Sequence, residues 1–68
     1  MSQIDLAKVK GFMVQNGMNE PRFACEMGIS YSYLFRVFRG QRLGGRKFIT
    51  GLIQAGMPLE DIFLPPVK

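Results

Sequence analysis

Histidine and tryptophan are absent from the chain, and cysteine occurs once, at Cys25. No disulfide can close within it, and the usual zinc ligand sets are out of reach. A lone thiol fits a reducing cytoplasm, which is the expected location. Acidic residues are few: Asp and Glu number 5 against 9 Lys and Arg, giving a formal charge of +4 over 68 residues. No apolar run approaches the roughly 20 residues of a membrane-spanning helix, so no membrane association is expected. The opening MSQIDLAKVK lacks the continuous apolar core of a secretory leader. Catalytic patterns are also missing. There is no histidine base, no paired-carboxylate arrangement and no GxxxxGK[ST] phosphate loop. QRLGGRKF sets two glycines beside cations, at a different spacing. A non-enzymatic role without metal or cofactor is the expectation.

What is present is positive charge, unevenly placed. From Arg22 to Lys47 the cations are Arg22, Arg36, Arg39, Arg42, Arg46 and Lys47, against Glu26 alone. The remaining acids, Asp5, Glu20, Glu60 and Asp61, sit towards the two ends. A basic middle segment suits an anionic partner. The length predicts one domain over 1–68, with a small core and marginal stability.

Apolar residues recur at helical spacing throughout. Ser2 is a candidate N-cap, with Asp5 near the positive helix end. Leu6, Val9, Phe12 and Met13 follow on one face, and Gly17 suits a C-terminal cap, so a first helix is predicted over 3–16. Asn19 is the next N-cap candidate, and Glu20 and Pro21 suit a first turn. Phe23, Ala24 and Met27 form the inward face of this second helix, which Gly28 stops. Ile29 continues the apolar pattern, and Ser30 caps a third helix in which Leu34, Val37 and Phe38 share a face and Gly40 marks the end.

A loop is predicted over 41–44. A fourth helix is predicted over 45–55, with Phe48, Ile49, Leu52 and Ile53 on its apolar side. Gly51 weakens that helix by about 1 kcal/mol relative to alanine. Gly56 ends it, and Pro58 opens a short turn of helix over 59–63 before Pro65 and Pro66 and a tail over 64–68. No strand-like alternation is present. The predicted fold is all-α, four to five short helices round one core. That core is expected to hold Leu6, Phe12, Met13, Phe23, Met27, Ile29, Leu34, Val37, Phe48, Ile49, Leu52 and Ile62.

The break at Gly28 carries the functional reading. Two short helices joined by a tight glycine turn cross steeply. Small Ala24 admits the third helix close to the second, and Ile29, Leu34 and Val37 pin it. Tyr31, Ser32, Phe35, Arg36 and Arg39 then fall on the outer side. An α-helix so presented fits the major groove of B-DNA, where each base pair shows its own donor and acceptor pattern.

The stretch NEPRFACEMGISYSYLFRVFRGQR, 19–42, resembles the helix-turn-helix of the lambda repressor and Cro family, the xenobiotic response element regulators. Phe23, Ala24, Gly28, Ile29, Ser30, Leu34, Val37 and Gly40 carry the resemblance, which with the flanking helices spans 4–63. It implies a lambda repressor-like domain with the helix-turn-helix at 19–40 and a recognition helix at 31–39. Its function would be sequence-specific regulation of transcription, as in a phage or mobile-element repressor. Many members carry Gln where this chain has Glu20, and small polar residues where it has Tyr31, Tyr33 and Phe35.

Base contact is expected of Tyr31, Ser32, Phe35 and Arg36. Tyr31 matches a first base-reading position and could donate to a base edge or meet a thymine methyl. The plainer alternative is an exposed surface aromatic. Arg36 suits a bidentate pair to guanine, or else a phosphate contact or surface ion pair. Phe35 either touches a methyl group or packs on the first turn of the second helix. Phosphate contact is expected of Arg22, Tyr33, Arg39, Arg42, Arg46 and Lys47, aided by the N–H groups that open the fourth helix, with Gly44 and Gly45 admitting the backbone. A merely solvated basic surface is the alternative for the last cations. Cys25 is expected to be an inert thiol.

Double-stranded DNA is thus the expected partner. A homodimer, if one forms, would be weak or induced by DNA, through 59–67 or the exposed part of the fourth helix. Two other readings stay open. The aromatic surface Tyr31, Tyr33, Phe35 could dock a protein, since aromatics and arginine are favoured at binding hot spots. The chain could also be an accessory recombination factor that binds DNA architecturally.

Overall fold

The first helix begins later than its residue pattern suggests. The structure, a computed structural model, describes residues 4–64. Ser2, Gln3 and the proline-containing end of the predicted tail lie outside them. Asp5 Oδ1 accepts the amide hydrogen of Lys8 at 3.2 Å, and α1 runs Leu6–Gln15. Asp5 is therefore the N-cap itself, not an acid inside the first turn. The cause is tertiary. The Asp5 N–H is donated to the Ile62 carbonyl at 2.7 Å, and Ile4 forms an isolated antiparallel bridge with Phe63. A residue engaged in that bridge is extended and cannot open a helix.

The next two helices follow their local signals. α2 spans Glu20–Met27, and Asn19 Oδ1 accepts the Arg22 amide hydrogen at 3.0 Å. Pro21 occupies the first turn, where its missing N–H leaves no bond unmade. α3 spans Tyr31–Phe38, capped by Ser30 Oγ, which accepts from the Tyr33 amide at 3.2 Å. Gly28 between them has φ +73°, the left-handed region that costs a residue with a Cβ roughly 1–2 kcal/mol. The N–H groups of Gly28 and Ile29 return to the carbonyls of Cys25 and Ala24, both at 3.1 Å. These bonds satisfy the last carbonyls of α2 and turn the chain directly into α3.

α4 spans Arg46–Gln54 and α5 spans Leu59–Ile62, completing five helices among the described residues, with no strand. α2 packs against both α3 and α4, while α5 packs against α1 and α4. Phe23, Phe48, Leu34, Leu52, Ile62 and Val9 are fully buried where these elements meet. Truncating one such phenylalanine to alanine typically costs about 3–5 kcal/mol, a large share of the roughly 5–15 kcal/mol that holds a domain folded.

The expected core is largely there, with specific differences. Met13, Met27, Ile29 and Val37 are buried, but Leu6, Phe12 and Ile49 are only partly so. Ile53, on the predicted apolar side of α4, is 52% exposed. Met57, which the spacing did not select, is buried, and its N–H bonds back to the Leu52 carbonyl at 3.0 Å just past the end of α4.

Gly51 has a use that helix propensity alone does not reveal. A Cβ there would stand 2.8 Å from the Met27 carbonyl oxygen and 3.0 Å from the Met27 Cβ. The missing side chain is what lets α4 lie against the backbone of α2. No helix among the described residues is long and apolar enough to cross a membrane.

Candidate nucleic-acid interface

α3 divides its residues by the helical repeat of about 3.6 per turn. Leu34, Val37 and Phe38 fall together and are buried. Ser32 and Arg39 lie at the middle of the opposite side, with Arg36 to one flank and Tyr31 to the other. All four are exposed. Tyr33 and Phe35 are half-buried, and Tyr31 lies beyond Phe35, towards the buried Phe38. The outer surface is therefore less aromatic than the sequence suggests, and of its three aromatic rings only Tyr31 is freely presented.

Tyr33 has turned towards α4. Its ring meets Phe48 edge-on, centroids 6.1 Å apart at 82°. Its hydroxyl oxygen accepts the Gly45 amide hydrogen at 3.4 Å, a long bond. The Arg42 guanidinium lies over the ring, 5.3 Å from its centroid. Tyr33 is thus a strut that brings the loop after α3 and the start of α4 beside the Arg36 flank. Its hydroxyl is used there as an acceptor and donates to no other group among the described residues.

On the other flank a chain of contacts runs from Tyr31 back to α2. The Tyr31 and Phe35 rings meet edge-to-face at 6.0 Å and 62°. The Arg39 guanidinium covers Phe35 at 4.2 Å from the centroid. Arg39 Nη1 lies 3.9 Å from Oε2 of Glu20, in the first turn of α2. Phe35 is thereby tied to that turn, through Arg39. Glu20, one of the departures from the repressor pattern, contributes a contact that reading the sequence missed. Nothing in the spacing of Glu20 and Arg39, which sit on different helices, signals the pair.

The cations fall into two sets. Arg22 pairs with Glu26 one turn along α2, Nε to Oε2 3.5 Å, and Arg39 pairs with Glu20. The Arg22–Glu26 pair is largely exposed and contributes little to stability, typically under about 1 kcal/mol, whereas Glu20 in the other pair is half-buried. Arg36, Arg42, Arg46 and Lys47 are exposed and enter none of the ion pairs formed among the described residues. They are the free positive charges of this surface.

The two glycines before α4 differ in use. A Cβ on Gly44 would come 2.6 Å from Ile4 Cδ1 and 2.9 Å from Phe48 Cδ2, so Gly44 seats the loop on the core and does not open it to a ligand. Gly45 faces open space and is the N-cap of α4, without a side-chain cap bond. Beyond it, Arg46, Lys47, Thr50 and Gln54 line an open groove of about 460 Å³, floored by Met27, Gly28 and Gly51. Thr50 and Gln54 were not selected from the sequence. The steps of four from Arg46 to Thr50 and from Thr50 to Gln54 were the available signal. Cys25 is exposed on α2 and enters none of these contacts.

The surface joins a half-aromatic helix face to four free cations, with one helix N-terminus between them. Such an arrangement can bind a polyanion and contact a second, flat or apolar surface at the same time. No family model, no curated protein and no solved structure matches the chain.

Proposed function

We propose that the chain is a sequence-specific, double-stranded DNA-binding regulator of transcription. α2, the Gly28 turn and α3 act as a helix-turn-helix in a lambda repressor-like domain, working in the cytoplasm of a phage- or mobile-element-bearing cell. α3 enters the major groove. Ser32 and Arg36 face base edges, with Arg36 suited to a bidentate bond to guanine. Arg42, Arg46, Lys47, the Tyr33 hydroxyl and the first N–H groups of α4 hold phosphates and set the register. Arg22 and Arg39 are secondary phosphate contacts, because each already shares its charge with a carboxylate.

The contact between Tyr33 and Gly45 is the observation that carries this reading. It supports it by joining to α3, which carries Arg36 on its open side, the segment that carries Arg42, Arg46 and Lys47. Ile53, Leu59 and Leu64, exposed by 52%, 59% and 44%, offer the apolar area for a weak or DNA-induced dimer on two half-sites.

Two substitutions test the division of labour. Arg36→Ala should cost about 1–3 kcal/mol at its base pair and flatten sequence preference. Arg46→Ala should weaken all duplexes alike and lower the salt slope by about one. Equal affinity of both variants and the parent for every duplex would remove the reading. A protein-docking module is the second reading, favoured by Tyr31, an aromatic 46% exposed at the start of α3. It predicts loss of a protein partner on Tyr31→Ala with DNA untouched. An architectural recombination factor would bend duplexes without regard to sequence.

A further inference from the structure

The Tyr31 flank of α3 differs in chemistry from the Arg36 flank. Tyr31 is the first residue of α3 and presents nearly half its surface. Its ring is not loose. It rests edge-to-face on Phe35 at 6.0 Å, Phe35 lies under the Arg39 guanidinium at 4.2 Å, and Arg39 is tethered to Glu20 at 3.9 Å. Arg39 is thus engaged by a ring and a carboxylate, and what projects beside it is an aromatic face.

Major-groove edges are polar with one exception, the C5-methyl group of thymine. We propose that Tyr31, held by Phe35 and Arg39, determines specificity by packing its ring on a thymine methyl. This rests on the DNA-binding reading and deepens it. Arg36 on the far flank reads a donor–acceptor pattern, and Tyr31 reads shape and apolarity. The preferred site therefore carries a thymine at the position that the start of α3 faces. In this proposal the ring does the reading and the phenol oxygen does not, because a methyl group offers nothing to a hydrogen-bonding oxygen.

The test uses the duplex that the full chain prefers. Each thymine is replaced in turn by deoxyuridine, which keeps every hydrogen-bonding group and removes only the methyl. At the position read by Tyr31 affinity should fall about fourfold, the effect of leaving one such group unburied. Tyr31→Phe should keep that loss. Tyr31→Ala should bind both duplexes equally, while still binding DNA. Indifference of the parent chain to deoxyuridine at every position overturns the inference and leaves DNA recognition standing. So does a preferred site without thymine, or a methyl effect that survives in Tyr31→Ala. Absence of any preferred duplex is a different result, and it removes the DNA-binding reading together with this one.

Discussion

Arg39, just past the end of α3, reaches the first turn of α2, where its Nη1 lies 3.9 Å from Oε2 of Glu20. The same guanidinium covers Phe35. One side chain therefore bridges two helices, covering a ring on one and pairing with a carboxylate on the other.

Glu20→Gln should release Arg39 and remove a negative charge from the rim of the interface. Under the DNA-binding reading, affinity for all duplexes rises, and the dependence on salt steepens by about one unit of log slope. Folding stability should change by less than about 1 kcal/mol, as for exposed pairs in general. Titrations of random duplex at several salt concentrations check the first claim, and urea denaturation the second. Weaker binding by Glu20→Gln would mean that the carboxylate aids recognition by positioning Arg39.

Gly51 and Gly11 should respond to alanine with opposite signs. Both lie inside helices, where alanine is preferred by about 1 kcal/mol. At Gly11 a Cβ meets nothing within 4 Å, so Gly11→Ala should stabilise the fold by up to about 1 kcal/mol. At Gly51 the new Cβ would press on the Met27 backbone oxygen at 2.8 Å. Forcing α2 and α4 apart costs roughly 1–3 kcal/mol, which outweighs the propensity gain. Thermal melts of the two variants, side by side, decide the matter.

The contrast between these glycines also shows what a sequence of this kind discloses. Asn19, Gly28 and Ser30 act as their types and positions suggest, because a cap is satisfied by its own neighbours along the chain. The five helices of the described residues, with no strand among them, follow from the same local grammar. Gly51 reads as a flaw in α4 because the backbone it accommodates lies 24 positions earlier, at Met27. Asp5 replaces the cap expected of Ser2 because the Ile62 carbonyl claims its N–H from the other end of the chain. Within the interface, the exposed positions of Tyr31, Ser32 and Arg36 follow from helical spacing, whereas Tyr33 and Phe35 do not. Each of those rings is drawn inward by a partner on another segment, Phe48 and Gly45 for one, Arg39 with Glu20 for the other.

Tyr33→Phe isolates the hydroxyl from the ring. The ring packing on Phe48 remains, and one long hydrogen bond of 3.4 Å is lost. Stability should fall by no more than about 1 kcal/mol. Under the DNA-binding reading, which gives the hydroxyl a phosphate contact, affinity for DNA should drop modestly and by the same factor on every duplex. Binding curves on preferred and random duplexes report this directly. A change in preference would move Tyr33 into the base-reading set.

The most direct measurement is selection of bound duplexes from a random pool, followed by the affinity ratio of the selected site to random DNA. The account predicts a defined site, containing a guanine for Arg36 and a thymine for Tyr31, favoured by a factor of about 10³ or more. Recovery of an unenriched pool, or equal affinity for selected and random duplexes, would contradict it.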